Sequence, residues 1–166
     1  MKHTRRLTRA ALVAALYLLT TLLLRPISFG ALQLRLAEAL TLLPVFAAEA
    51  VPGLGLGCLL ANLLGGGVWF DVVFGTLATL LSAICVRRLR AKPFLGAAVT
   101  TLINALIVGT VVYLGYVRAP DAPVSVGTLI SAIGTVGLGE GAACFLLGLP
   151  LVRALRRLPD DFWHET

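Results

Sequence analysis

Charge is scarce in this chain. Only 13% of its 166 residues are Asp, Glu, Lys or Arg, while 58% are hydrophobic and the mean hydropathy is +0.95. Soluble domains carry about 25% charged residues and about 45–50% apolar ones, and a chain this small keeps much of its surface exposed. The scarcity therefore excludes a water-soluble globular domain. Cysteine is nearly as sparse. Cys58, Cys85 and Cys144 all lie inside apolar runs, none belongs to a C-x-x-C pair, and neither His3 nor His164 is near them. That excludes a disulfide framework and a structural metal site, and leaves small apolar residues of the interior. No G-x-x-x-x-G-K-[ST] loop is present, so the chain does not bind ATP in that manner. H-E-x-x-H and G-x-S-x-G are missing too, and the apolar runs hold no His, which argues against a membrane-embedded enzyme. No motif calls for a cofactor. The net charge of +6 lies in three short clusters beside apolar runs, which is a pattern of membrane orientation and excludes a nucleic-acid partner.

What the chain has in abundance is apolar length. A membrane span needs roughly 20 mostly apolar residues, so residues 1–166 accommodate about six spans in a single membrane-embedded domain. The runs are Leu7 to Leu24, Ala37 to Val51, Leu54 to Leu64, Trp69 to Val86, Phe94 to Tyr116 and Val124 to Val152. The second and third are short, and read as tilted, kinked or partly re-entrant, with five crossings as the rival count. The basic N-terminus ahead of the first run resembles a signal peptide, but no small-residue cleavage site follows cleanly, and the run reads as a retained helix. Cytoplasmic loops carry the Lys/Arg excess. With the N-terminus inside, eleven of the fourteen Lys and Arg fall inside and three, Arg25, Arg35 and Arg118, outside. The expectation is an all-α integral membrane protein, a six-transmembrane-helix bundle of the plasma membrane with both termini cytoplasmic.

Ionisable groups within a bilayer cost several kcal/mol and face a bundle interior or a water-filled cavity. Glu38, Asp71 and Glu140 are such groups here, with Asn62 and Asn104 as uncharged companions; Glu49 lies at the cytoplasmic end of its run. At about 1.5 Å per helical residue, Gln33, Arg35, Glu38, Asn62, Trp69 and Asp71 fall in the outer half, while Asn104 and Glu140 fall near the midplane. The layout is that of a polar pocket open to the outside. The blander readings are an Arg35–Glu38 pair at a helix end, Asp71 as a helix cap, and Trp69 as an interfacial anchor. Small residues recur at four-residue spacing: Gly53 and Gly57, Gly137 and Gly141, and in the first run Ala10 and Ala14, with Ala11 and Ala15 on the adjacent face. Such pairs let helices approach closely, whether the neighbour belongs to this chain or to a partner.

Long stretches of this sequence resemble the QueT family of queuosine-precursor transporters. They run from Gln33 to Pro44 (QLRLAEALTLLP), from Gly57 to Gly66 (GCLLANLLGG) and from Asp71 to Leu80 (DVVFGTLATL), with Ile103 to Gly109 and Gly139-Glu140 similar in the second half. The resemblance implies the substrate-binding S component of an energy-coupling factor (ECF) transporter. Such a subunit captures a scarce micronutrient from outside and delivers it inward with a transmembrane coupling subunit and two ATPases. It also implies that Ala10 and Ala14 face the coupling subunit. The implied ligand is a 7-deazaguanine, whose N1–H and 2-amino group form a donor edge that a carboxylate fits in bidentate fashion. Glu38 and Glu140 are the leading carboxylates, with Asp71 third. Asn62, Asn104 and Gln33 are placed to read the carbonyl or ring nitrogens, Arg35 the carbonyl or Glu38, and Trp69 or Phe70 to stack on the ring. The outer segment from Arg25 to Arg35 is expected to act as a gate. An S component for another vitamin, of the thiamine or riboflavin class, and a stand-alone carrier or small channel are the competing readings.

Overall fold

The computed structural model describes residues 2–29, 34–119 and 123–158. Among these the chain is helical, without strands, in seven stretches. The shortest, Arg25–Ser28, is a single turn opened by Pro26 and closed by Phe29 in an extended conformation. The others are α1 (Lys2–Leu23), α2 (Leu36–Val45), α3 (Ala50–Gly65), α4 (Asp71–Gly75 continued by Thr76–Arg88), α5 (Pro93–Val112 continued by Tyr113–Val117) and α6 (Val126–Gly141, Ala142–Gly148 and Leu149–Leu155). Three stretches, His3–Leu23, Pro93–Val117 and Val126–Leu155, are long and apolar enough to cross a bilayer; Leu36–Val45 and Ala50–Gly65 are apolar but shorter.

The short second run is explained by its geometry. The ten residues of α2 form a 3-10 helix. At about 2.0 Å per residue this covers about 20 Å, where an α-helix would cover about 15 Å. The sequence places Pro52-Gly53 at the end of the second run, but the structure closes α2 at Val45 and puts Pro52 in the first turn of α3, where a missing N–H costs no hydrogen bond. α3 is capped by Gly66, whose φ of 82° lies in the left-handed region that glycine enters without steric penalty. The last three helices each carry a π-helical stretch: Asp71–Gly75, Tyr113–Val117 and Ala142–Gly148.

The buried apolar residues form three clusters, and α4 contributes to each. Ala83 packs with Tyr17, Ala37, Leu54 and Cys58; Ala78 with Val108, Val112 and Val136; and Val86 with Leu42, Ala97, Cys144 and Val152. Leu7, Leu138 and Leu146 are more than 70% exposed, as expected of side chains facing hydrocarbon instead of water.

α1 and α3 meet through small residues. A Cβ on Gly53 would lie 2.5 Å from the Ala10 carbonyl oxygen, and one on Gly57 would lie 2.8 Å from that of Ala14. Ala14 is buried and Ala10 half-buried, so in this structure the Ala10–Ala14 face is covered by this chain's own α3, and the pair left exposed is Ala11 and Ala15. The second pair behaves alike: Gly137 and Gly141 of α6 lie against Ala105 and Thr101 of α5. At the end of the α1–α3 contact Arg9 Nη1 donates to Glu49 Oε1 at 3.1 Å. Partial burial works to raise the Glu49 pKa, but hydrogen bonds from its own backbone and Arg9, with the charges of Arg9 and Arg6, prevail and lower it.

Two outcomes follow from this packing. Gly57→Val puts methyls into the α1 backbone and lowers stability by about 1–3 kcal/mol in unfolding titrations in detergent, whereas Leu138→Val on the exposed surface changes it little. Because the folded-state pKa of Glu49 is depressed, its contribution is fully present above the ordinary carboxylate range and is lost as pH falls through the lowered value. Glu49→Gln therefore narrows the stability difference between pH 7 and pH 3 relative to the parent chain, measured by the same titrations.

Candidate functional site

Six of the polar residues singled out from the sequence, Arg35, Glu38, Asn62, Asp71, Asn104 and Glu140, are each at most 3% exposed, Arg35 among them although it was counted outside the membrane. Five of them come from five helices, α2 to α6, with Arg35 just before α2, and together they form connected stations. The first surrounds Asp71, at the start of α4. Arg35, the residue before α2, places Nη2 3.1 Å from Asp71 Oδ1, and both side chains are buried. Tyr116, in the π-helical end of α5, donates its hydroxyl to Asp71 Oδ2 at 2.7 Å, and Asn62 Nδ2 donates to the Asp71 backbone carbonyl at 2.8 Å. One turn on, Gly75 makes room for the guanidinium: a Cβ there would stand 3.3 Å from Arg35 Nη1 and 3.2 Å from Asn62 Nδ2. The guanidinium also lies 5.7 Å from the centre of the Phe29 ring, within cation–π range.

The second station surrounds Glu38, in the first turn of α2. Its Oε1 accepts hydrogen bonds from the hydroxyls of Tyr17 on α1 and Thr79 on α4, the latter at 2.9 Å. Thr79 also touches Cys58 Sγ at 3.3 Å. The third surrounds Glu140, just ahead of the π-helical stretch of α6. Asn104 Nδ2 donates to its Oε1 at 3.0 Å and also lies 3.2 Å from the Thr100 carbonyl and 3.5 Å from Ser82 Oγ. Glu140 is near enough to Glu38 and Arg35 to interact with their charges, and the Cys144 thiol, one turn along α6, approaches the Glu38 carbonyl at 3.9 Å. The stations are thus faces of one polar interior.

The balance of charge in this interior is uneven. Among the described residues the buried ionisable acids are Glu38, Asp71 and Glu140, and the buried cation is Arg35. Arg35 forms its ion pair with Asp71. The donors on Glu38 are hydroxyls and the donor on Glu140 is an amide, all neutral. Hydrogen-bonding capacity is left over as well. Among the described residues Arg35 Nε, Glu38 Oε2, Asn62 Oδ1 and Thr100 Oγ1 are buried without a hydrogen-bond partner. Each such atom costs about 1–3 kcal/mol, and folded proteins keep few of them.

Other expectations fall elsewhere. Trp69 is 64% exposed and stacks on Phe70, ring centroids 3.9 Å apart, in an aromatic row that continues to Phe74 along the outer surface of α4. The structure thus puts Trp69 outside the polar interior, with Phe70 half-buried beside it. Gln33 lies outside the described residues, as do the other residues of the 30–33 segment of the expected gate. Three hydroxyls were not singled out from the sequence: Tyr17, Thr79 and Tyr116. Thr79 had a visible signal, since Asp71, Gly75, Thr79 and Ser82 recur at helical spacing on one face of α4. Tyr17 and Tyr116 had none, because an aromatic residue in an apolar run reads equally as core or as interfacial anchor.

All of the site residues lie within the segment, residues 7–157, that matches the sequence model of the QueT transporter family. The chain belongs to the QueT transporter family. A protein of Lactococcus lactis subsp. cremoris (strain MG1363) named Queuosine precursor transporter QueT is 37% identical over 73 residues, which cover 43% of this chain and 43% of that protein. No solved structure matches. Membership in a transporter family and the long apolar helices together make this a membrane protein, and the buried polar set is its candidate substrate site.

The Arg35–Asp71 pair supplies a direct test of how this interior is held. Asp71→Asn leaves the guanidinium buried without its counter-charge and destabilises the protein by about 3–5 kcal/mol, while the double substitution Arg35→Met with Asp71→Leu recovers much of that loss. Unfolding titrations of the three variants in detergent measure both effects.

Proposed function

We propose that this chain is the substrate-capture subunit of an ECF-type importer, binding a 7-deazaguanine queuosine precursor from outside and passing it inward with a coupling subunit and two ATPases. The observation that carries the reading is the pair of buried carboxyl groups, Glu38 and Glu140, held by neutral donors and lacking an ion-pair cation among the described residues. A ligand rich in N–H donors supplies what these groups lack. The N1–H and 2-amino edge of a deazaguanine suits one carboxyl in bidentate fashion, and the cationic aminomethyl group of the amine-bearing precursor suits the other. Asn62 Oδ1 and Arg35 Nε, unpartnered and on the same side of the interior as Asp71, offer an acceptor and a donor for the remaining ring edge. Tyr17, Thr79 and Tyr116 join the site as the groups that fix Glu38 and Asp71 in place. The name of the Lactococcus relative agrees with this ligand class.

The reading includes six crossings with both termini cytoplasmic. Two groupings of helix ends support it. Arg9 of α1, Glu49 before α3, and Leu151 and Leu155 of α6 line one cleft, and near it Arg87 at the end of α4 donates to the Pro44 carbonyl of α2 at 3.1 Å. At the opposite end, the backbone N–H of Ser125 before α6 meets the Tyr113 hydroxyl of α5 at 2.7 Å, and that of Val68 before α4 meets the Tyr116 hydroxyl at 3.2 Å. The first grouping is the arginine-rich one, which marks the cytoplasmic face. For the coupling subunit, the exposed pair Ala11 and Ala15 is the small-residue surface open to a partner; Ala10 and Ala14 support it from behind by seating α1 on α3.

Glu140→Gln weakens binding of the aminomethyl-deazaguanine by about 10–100-fold, the worth of one charge-assisted hydrogen bond, as read by isothermal titration in detergent; an unchanged Kd removes Glu140 from the site. Thiamine and riboflavin in the same titration show no binding. In liposomes, uptake requires the coupling subunit, the ATPases and ATP, and uptake by this chain alone would make it a stand-alone carrier.

A further inference from the structure

A second feature lies at the arginine-rich end, away from the polar interior. Between α1, α2 and α6 runs a groove of about 280 Å³. Its walls are apolar, formed by Leu12 and Leu16 of α1, Leu40 and Leu43 of α2, and Leu151 and Leu155 of α6, and charge enters at one end only, through Arg9 and Glu49. Leu12 and Leu16 are 58% and 43% exposed, so the groove opens sideways onto the surface that faces hydrocarbon. Its charged end is basic. Arg5 lies one turn before Arg9 on the same face of α1, and Arg6 acts on the charge of Glu49. Against these arginines stands the carboxylate of Glu49, which is engaged with Arg9.

We infer that this groove is a binding site for an anionic phospholipid, with an acyl chain against the leucines and the phosphate at Arg5 and Arg9. The two-part chemistry of the groove selects the ligand class. An apolar trough closed by a basic cluster matches a molecule with a long hydrocarbon tail and one anionic end. A partner helix buried along the trough would not need the arginines, and a soluble anion would not need the leucines. Anionic lipid is also what a basic cluster at the cytoplasmic surface of a membrane attracts. The site is separate from the polar interior and does not depend on which nutrient binds there.

The test is native mass spectrometry of the purified full-length chain, released from micelles doped with phosphatidylglycerol or phosphatidylcholine. The expected result is one phosphatidylglycerol adduct that survives collision energies at which phosphatidylcholine has dissociated. Leu12→Trp, which fills the groove from its exposed edge, removes the adduct. Arg5→Gln, at an exposed position, reduces it several-fold and erases the preference over phosphatidylcholine. Thermal stability of both variants close to that of the parent shows that the fold is retained. As a second readout, phosphatidylglycerol spin-labelled on its acyl chain quenches a fluorophore attached at Leu16→Cys more than the same label on phosphatidylcholine does. Equal retention of the two lipids, or an adduct indifferent to both substitutions, overturns the proposal. So does a dimer that Leu12→Trp abolishes, which would assign the groove to a second copy of the chain.

Discussion

The constraint that organises this protein is that charge placed in a low-dielectric interior must find compensation or leave. Among the described residues the chain keeps one buried guanidinium and three buried carboxyl groups in a bundle whose exposed surface is rich in leucine. Among the described residues, Asp71 alone of those carboxyls is matched by ion pairing. The Arg35–Asp71 pair is the fixed element: Tyr116 occupies the second oxygen of Asp71, Asn62 holds its backbone, and Gly75 leaves the space the guanidinium needs. Glu38 and Glu140 are set around that pair with neutral donors and spare acceptor capacity. An interior optimised for stability alone would have replaced them with apolar residues, since buried charge is weak evidence for stability. Their retention makes sense if a ligand brings the missing donors.

The helices are irregular where this interior requires it. All three π-helical stretches lie at or beside site residues: one begins at Asp71, one contains Tyr116, and one follows Glu140 and contains Cys144. A π-helical turn opens the regular i to i−4 ladder, and such turns recur at functional sites. The 3-10 form of α2 has a related effect. By stretching ten residues over about 20 Å, it lets a short segment carry Glu38 near its start and still reach Pro44 beside Arg87 at the other end. The small-residue contact of α1 with α3 completes the frame, because it brings Tyr17 close enough to donate to Glu38.

Much of this was legible in the residues. Lone acids and amides in apolar runs identified five of the buried set in advance, because a hydrocarbon solvent leaves so few reasons to keep them. Trp69 stood between two readings, since a flat aromatic ring beside a polar cluster suits both stacking on a ligand and anchoring at an interface; its 64% exposure on the outward side of α4 fits the anchor. The hydroxyls of Tyr17 and Tyr116 were hidden because their partners are more than twenty residues away in sequence. The pairing of Ala10 and Ala14 with Gly53 and Gly57 was undecidable from spacing, which records that a close neighbour exists but not which chain supplies it.

The sequence by itself determined the solvent, the all-helical class and which polar residues had to face inward, since hydropathy and the cost of desolvation depend on composition and local order along the chain. The tertiary structure alone decided that Asp71 takes the arginine while Glu38 and Glu140 receive neutral donors. That partition turns on distances of about 3 Å between helices remote in sequence, and electrostatic compensation in a low-dielectric interior is settled at that range.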